Sequence, residues 1–409
     1  MEVDSWPDVR IGDLGEVFTG RTPSTERPSY FGHDFPFITP GDMRQGKYAR
    51  QTQRSLSQQG AALLNRIQLP PNSVCVSCIG WQMGEVIMTD RPSFTNQQIN
   101  AIVANGTAEP SFLYYSLLPR KQELLSLGAT TGVRTPILNK SAFSDLKVKI
   151  PPLPVQRRIA GILSAYDDLI ENNTQRIHIL EEMAQALYRE WFVHSRFPGH
   201  DQVKLVDSPV GKVPQGWEVR NIGEVVETLG GGTPSTKSSE YWNSNDVIWF
   251  TPSDLTAAGT MYIQTSGKKI SKLGLEKSSA RLFPPYSVLM TSRATIGVVA
   301  INTQEACTNQ GFITCIPNEN VSAYQIYFWM LDNKEKIIGI ASGATYKEIN
   351  RTEFRELPIV VADKITNESF TATLSPICKQ IEVLQTKIEN LRRTRDLLLP
   401  KLVSGEIRC

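Results

Sequence analysis

Leu153-Pro154-Val155-Gln156-Arg157-Arg158-Ile159 opens, and Ala186-Leu187-Tyr188-Arg189-Glu190-Trp191-Phe192 closes, the stretch whose reading decides this fold. Between the two ends, Ile159, Leu163, Tyr166, Ile170, Asn173, Ile177, Leu180, Ala184, Leu187 and Trp191 follow at alternating steps of four and three. That spacing lines one face of a helix for a partner. At about 1.5 Å rise per residue such a helix spans about 60 Å, too long to lie inside one small domain. Something else in the chain must cover its stripe.

The same rhythm returns near the C-terminus in Phe370, Leu374, Ile377, Ile381, Leu384, Ile388, Leu391, Leu398 and Leu402, each 211 residues after a member of the first set. Two readings compete: each helix covers its own globular module, or the two helices pair with each other. Matched seams favour pairing as an antiparallel coiled coil. Asn173 is the polar exception in the seam, and a polar group there fixes register at a cost in stability. Pro376 is a candidate kink in the second helix.

The repetition extends beyond the helices. Thr22-Pro23-Ser24-Thr25 returns as Thr233-Pro234-Ser235-Thr236, Thr39-Pro40-Gly41-Asp42 as Thr251-Pro252-Ser253-Asp254, and Pro70-Pro71-Asn72-Ser73-Val74 as Pro284-Pro285-Tyr286-Ser287-Val288. Thr95-Asn96-Gln97 returns as Thr308-Asn309-Gln310 and Gly128-Ala129-Thr130 as Gly343-Ala344-Thr345. Order is preserved and every offset lies between 211 and 215, so the chain is a tandem duplication.

The expected class is α+β: two duplicated mixed α/β modules, each followed by a long helix. Boundaries fall at 1–150 for the first module, 151–194 for its helix, 195–216 for a Pro- and Gly-rich linker, 217–362 for the second module and 363–409 for the second helix. Within the modules, short apolar runs between Pro, Gly and Asn turns read as strands, and 111–127 and 323–338 read as helices.

The 409 residues carry a net charge of only +2 and 40% hydrophobic content, so no global basic field advertises a polyanion. Six cysteines, no signal peptide and no apolar run near twenty residues fit a reduced, cytoplasmic protein outside the membrane. Cys75 and Cys78 form a Cys-x-x-Cys pair, but the alternation around them reads as a strand and no matching pair exists in the second half. Motifs for amino-methyl transfer, phosphate cradling and Glu-x-Lys nuclease chemistry are missing from the sequence, and the four histidines lack metal spacing. The expectation is therefore no catalytic residue and no metal site in this chain.

Local cations point toward nucleic acid. Arg44, Lys47, Arg50 and Arg54 follow the first Thr-Pro-x-Asp turn, and Lys268, Lys269 and Lys272 follow the second. Arg21, Arg134, Arg293, Lys347 and Arg351 lie near other repeated Gly or Thr turns. Cations recurring on both modules suit phosphate neutralisation, with Arg, Asn and Gln free to read base edges.

Ile150-Pro151-Pro152-Leu153-Pro154-Val155-Gln156-Arg157-Arg158-Ile159, Leu169-Ile170-Glu171-Asn172-Asn173 and Glu181 to Phe192 resemble the first conserved region of type I restriction-modification specificity subunits. Leu391-Arg392-Arg393-Thr394-Arg395-Asp396-Leu397-Leu398-Leu399-Pro400-Lys401-Leu402, with Ser404-Gly405-Glu406-Ile407, resembles the second. The second helix departs from the pattern by opening on Val360-Val361-Ala362-Asp363 instead of a Pro-rich run. The resemblance implies two target-recognition domains reading an asymmetric bipartite site in double-stranded DNA, and helices that set half-site spacing. It also implies docking of two methyltransferase subunits and of restriction/translocase subunits, with S-adenosylmethionine, ATP and magnesium held by those partners and none here. The rival classes are a structural coiled-coil scaffold and a self-sufficient DNA-modifying enzyme. Duplication adds one more expectation: the first half alone, with its seam uncovered, forms a symmetric dimer.

Overall fold

The computed structural model describes residues 6–129, 134–343 and 347–407. Thr130, Ala344 and Thr345 of the repeated Gly-Ala-Thr lie outside that set. Two compact units emerge, Met1–Asn172 with Ile388–Cys409, and Asn173–Lys387. The first long helix, Leu153–Tyr188, and the second, Lys364–Ser404, each contribute to both units. A module and the helical segments beside it thus make one unit.

In the first unit Ile159, Ala160 and Leu163 join Leu399 and Leu402 in the same buried cluster as Ile11, Val76, Phe112 and Phe143. In the second, Phe370 packs against Trp191 and Phe192, with ring centroids 5.4 and 4.8 Å apart, while Tyr188 stacks on Phe328 of the module at 6.3 Å. Early residues of one helix meet late residues of the other in each unit, so the segments run antiparallel. Both competing readings hold together: within each unit the helices pair and also roof a module. Each large seam side chain taken from water contributes roughly 1.5–3 kcal/mol, which is what orders the helices.

The seam drifts from a strict heptad. Ile159, Leu163, Ile170, Asn173, Ile177, Ala184, Trp191, Leu374, Ile381, Leu384, Ile388 and Leu402 are buried, as expected, but Tyr166, Leu180, Leu187, Ile377, Leu391 and Leu398 are half-exposed. Asp167, Tyr188, Cys378 and Leu399, one residue further on, are buried next to Tyr166, Leu187, Ile377 and Leu398. A helix of 3.6 residues per turn moves its buried face by about 20° each heptad, enough to bring the following residue inward. Pro376 produces no break, because it lies on the exposed side, where the carbonyl it leaves without a donor faces water.

The helices start differently. In the first, Pro152 and Pro154 occupy positions where a backbone donor is not needed, and the Gln156 amide donates to Pro151 O (2.8 Å) while accepting from Glu109 N (2.8 Å). Asp363 caps the second by accepting from the Thr366 N–H (3.1 Å) and hydroxyl (2.6 Å). Asn367, standing where the first helix has Gln156, donates to Asn320 O at 2.5 Å. The first helix ends in a wider turn, Arg189–Val193.

Each module holds two small sheets. In the first, Gly15–Thr19, Ile99–Ala104, Val74–Ser77 and Val86–Met88 pair antiparallel in that order, and a second sheet sets Phe35–Ile38 parallel to Phe94–Thr95. In the second, Glu227–Gly230, Phe312–Ile316, Val288–Thr291 and Val299–Asn302 repeat the first sheet, and Val247–Phe250 lies parallel to Ala306–Thr308. A two-stranded ribbon closes each module, Asp8–Arg10 against Lys147–Lys149 and Glu218–Asn221 against Pro358–Val361.

The stretch 195–216, read as a linker, carries a hairpin of Leu205–Ser208 and Gly211–Pro214. Its strands are largely exposed on both faces, so no apolar alternation marks them, and only Gly211 (φ 110°) signals the turn. The expected module helices are interrupted as well. They run Pro110–Leu117 then Lys121–Gly128, and Ala323–Asp332 then Lys334–Gly339.

Candidate nucleic-acid interface

The repeated motifs fold into the same hydrogen-bonded frame in both modules. Thr39 donates its N–H (2.9 Å) and hydroxyl (2.7 Å) to Asp42 Oδ2, while Asp42 Oδ1 accepts from Gln53 N at 2.9 Å. Thr251 and Asp254 repeat this at 2.7 and 2.7 Å, with Gly267 N donating to Asp254 Oδ1 at 2.8 Å. One carboxylate therefore caps a short turn and ties down the loop that leads to the cations. The Thr22 hydroxyl bonds Gln97 Oε1 at 2.7 Å, and Thr233 bonds Gln310 Oε1 at 2.6 Å.

Backbone bonds gather these loops at the ends of the parallel strand pair: Arg21 N to Thr95 O and Asn96 N to Ile38 O in one module, Gly232 N to Thr308 O and Asn309 N to Phe250 O in the other. Close approach explains two glycines. A Cβ on Gly20 would lie 2.2 Å from Asn96 O, and one on Gly231 2.0 Å from Asn309 O. Gln97 and Gln310 stay exposed above this frame.

Side chains mounted on the frame differ between modules. Arg54 lies over the Phe31 ring, 5.6 Å from its centroid. In the second module Lys268 stands at the Arg54 position and Trp242 at the Phe31 position, where Lys268, Lys269, Trp242, Thr236, Asn243 and Asn245 line an open cavity of about 620 Å³. Trp242 is held there by its indole N–H donating to Ser235 O (3.1 Å) and by an edge contact with Trp249 at 5.0 Å. Lysines beside amides and an aromatic face suit a phosphate backbone with bases next to it.

Of the remaining nominated residues, Arg21, Arg134, Lys272, Lys347 and Arg351 are exposed. Arg44 bonds Gln82 and lies 3.6 Å from Glu85; Arg50 pairs with Glu171 and lies 3.7 Å from Asp90; Arg293 pairs with Glu348 at 2.6 Å. Lys47 is a correction. It is buried, its Nζ donates to Ser164 Oγ (2.8 Å) and Ser111 Oγ (3.2 Å), and the rings of Tyr48, Tyr114 and Tyr115 surround it. Burial pushes its ammonium down from the ordinary lysine value, against the pull of Asp167. It fastens the module to the helix and cannot reach a duplex.

Trp242, Asn243 and Asn245 were not singled out from the sequence, although aligning the repeats on Tyr30 and Tyr241 puts an aromatic beside a basic strand in both copies. Cys75 lies in the strand Val74–Ser77 and Cys78 just after it; burial pushes their thiols up to about 12 and about 11, far from the thiolate a metal or redox reaction needs. Among the described residues no group of three His, Cys, Asp or Glu side chains is placed to hold a metal ion, and no helix is long and apolar enough to cross a membrane.

Two copies of one recognition frame joined by paired helices define a class of protein that other chains share. The signature of the type I restriction modification DNA specificity domain matches residues 3–182 and again 214–393. The chain belongs to that family and has the architecture of a non-catalytic specificity subunit. It is 25% identical over 411 residues to the type I restriction enzyme MjaIX specificity subunit of Methanocaldococcus jannaschii, covering 98% of this chain and 94% of that one. It is 34% identical over 181 residues to the HindI specificity subunit of Haemophilus influenzae, covering 43% and 39%. The fold matches the crystal structure of a type I restriction-modification S subunit from M. genitalium with a TM-score of 0.62 at 14% identity, over 98% of this chain and 97% of that one.

Proposed function

We propose that each module reads one half of an asymmetric bipartite site in double-stranded DNA, within a type I restriction-modification complex. One observation carries this reading: an identical frame of Thr, Asp, Gln and Gly contacts presents Arg54 with Phe31 in one module and Lys268 with Trp242, Asn243 and Asn245 in the other. Same frame, different reading side chains, is what two unlike half-sequences require. The paired helices set half-site spacing and dock two methyltransferase subunits, which flip and methylate an adenine, and the restriction/translocase subunits. S-adenosylmethionine, ATP and magnesium belong to those partners. Arg21, Arg54, Lys268, Lys269 and Lys272 supply phosphate and base contacts.

The test is Lys268→Ala with Lys269→Ala, assayed with the methyltransferase subunit on genomic DNA. Binding should weaken, its salt dependence should flatten by about one ion per lost phosphate contact, and methylated sites should relax in one half-sequence only. Unchanged sites and salt slope, or relaxation of both halves together, overturn the assignment.

A further inference from the structure

In the first unit a polar cluster occupies the place where both helices meet the module. The Asp167 carboxylate, 8% exposed as a residue, accepts from the Tyr115 hydroxyl at 2.5 Å through Oδ2 and from the Arg395 guanidinium at 2.5 Å through Oδ1. Lys47 sits alongside, bonded to Ser164, whose hydroxyl is also 3.4 Å from Tyr115 OH. Burial alone would lower the Arg395 guanidinium, and Asp167 and Asp396 together more than reverse it.

The duplication identifies the equivalents in the second unit. Met261 accepts from Ile301 N as Lys47 accepts from Met88 N, so Met261 stands for Lys47. Module helices whose first carbonyls are those of Glu109 and Ser322 place Phe328 at the Tyr115 position. The 211-residue offset of the long helices places Cys378 at the Asp167 position and Ala184 at the Arg395 position. Met261, Phe328, Cys378 and Ala184 are all essentially buried. Lysine, tyrosine, aspartate and arginine are replaced together by methionine, phenylalanine, cysteine and alanine, while the carboxylate near Cys378, Glu181, comes from another position, equivalent to Arg392.

Such a concerted difference acts on pairing. If the first helix paired with a second copy of itself, residue 184 would take the place of residue 395, and Asp167 would meet Ala184 in both units, buried without the guanidinium that bonds it and with only Lys47 nearby. If the second helix did so, Arg395 would meet Cys378 twice and keep only Asp396, its neighbour on the same helix, having lost the buried carboxylate of Asp167. A buried charge stripped of its partner weakens association by at least about a hundredfold per site. Only the pairing of unlike helices joins Asp167 to Arg395.

We infer that Asp167, Arg395, Tyr115 and Lys47 form a sorting device that makes the two halves of this chain recognise each other and reject a second copy of themselves. The expectation of a stable first-half dimer from the apolar seam alone is thereby revised: the seam supplies affinity, and the cluster withholds it from like halves.

The experiment begins from the folded full chain, carrying a protease site between the exposed residues Asp201 and Gln202. After cleavage, native mass spectrometry follows how the halves re-sort over days. With the natural residues, one first half should stay with one second half, and like pairs should remain below about one per cent, as a hundredfold penalty at each site demands. Two variants remove the discrimination by opposite routes. Lys47→Met, Tyr115→Phe, Asp167→Cys and Arg395→Ala together make the first cluster match the second. Ala184→Arg with Cys378→Asp gives every pairing an acid opposite a base. In each, like pairs should rise to tens of per cent, and a cooperative unfolding transition before cleavage certifies the fold. Like pairs in the cleaved natural chain, or variants that fold and still keep only unlike pairs, would overturn the inference.

Discussion

The two units share a frame and differ inside it. In the first, the junction of module and helices is polar, with Asp167, Arg395, Tyr115 and Lys47 satisfying one another. In the second, Met261, Phe328, Cys378 and Ala184 fill the same place. Surface loops that repeat in sequence also repeat in hydrogen bonding, down to the Thr22–Gln97 and Thr233–Gln310 pairs. Duplication thus preserved what holds loops in place and let the interior diverge, and buried charge is the sharpest part of that divergence.

The hardest way to break the comparison is to strip half of the polar junction. Arg395→Ala leaves Asp167 buried without the guanidinium that bonds it, and chemical denaturation should report a loss of up to about 3–5 kcal/mol in the first unit. Converting Lys47, Tyr115, Asp167 and Arg395 together to their second-unit counterparts should cost less than the single change, since no carboxylate is then buried without its guanidinium, although alanine leaves the space of the Arg395 side chain unfilled. A fourfold variant as unstable as the single one would show that the two interiors are not interchangeable.

A smaller effect attaches to Asn173, 2% exposed, whose amide nitrogen has no hydrogen-bond partner among the described residues, where the second helix has Leu384. Asn173→Leu should raise stability by about 1 kcal/mol by removing a buried unpaired donor, and in the complex should loosen the spacing of methylated half-sites. Lower stability with unchanged spacing would mean that the amide is needed where it lies.

The smallest effect concerns the helix starts. Asp363→Ala should cost about 0.5–1 kcal/mol for an exposed cap, measured as a shift in the denaturant midpoint. Burial works to raise the Asp363 carboxyl, but the bonds from the Thr366 hydroxyl and N–H, with those from the Ile365 N–H and the Trp217 side chain, prevail and hold it below its ordinary value. A carboxyl depressed in the folded state stabilises fully above the unfolded value, about 4, and loses that contribution as pH falls through the lower folded value. The difference between the natural chain and the variant should therefore be flat near neutrality and shrink below about pH 4. A difference that persists unchanged at pH 2 would assign the cap to something other than the ionised carboxylate.

Much of the fold was legible because it rests on periodicity and repetition. The stripes from Ile159 to Trp191 and from Phe370 to Leu402 specify helices, and their common offset specifies a duplication. The frame of the candidate site was legible as motifs, since Thr-Pro-x-Asp is a cap whose acceptor needs no tertiary knowledge. What escaped depends on contacts between distant segments. Lys47 looks like a surface cation until Ser111 and Ser164 come to meet it. Asp167 looks like the solvated neighbour of Tyr166 until the drift of a real helix turns it inward. The hairpin at 205–214 shows no alternation because it buries almost nothing. Trp242 gains meaning only once Lys268 stands across the cavity from it.

The short ribbons that close the modules have a consequence at the level of the gene. Asp8–Arg10 beside Lys147–Lys149, and Glu218–Asn221 beside Pro358–Val361, bring the first and last strands of each module into register with each other. Everything between such adjoining ends is an insert that enters and leaves at one place, and what the helices require of it is a packing face such as the one that carries Lys47 and Tyr115. A crossover at the coding segments for one ribbon can exchange the whole insert, and because the exchanged ends meet in the same antiparallel register, the chain enters the helix from the same place. Inheritance can therefore trade one set of surface loops for another in a single event, while the long helices descend untouched.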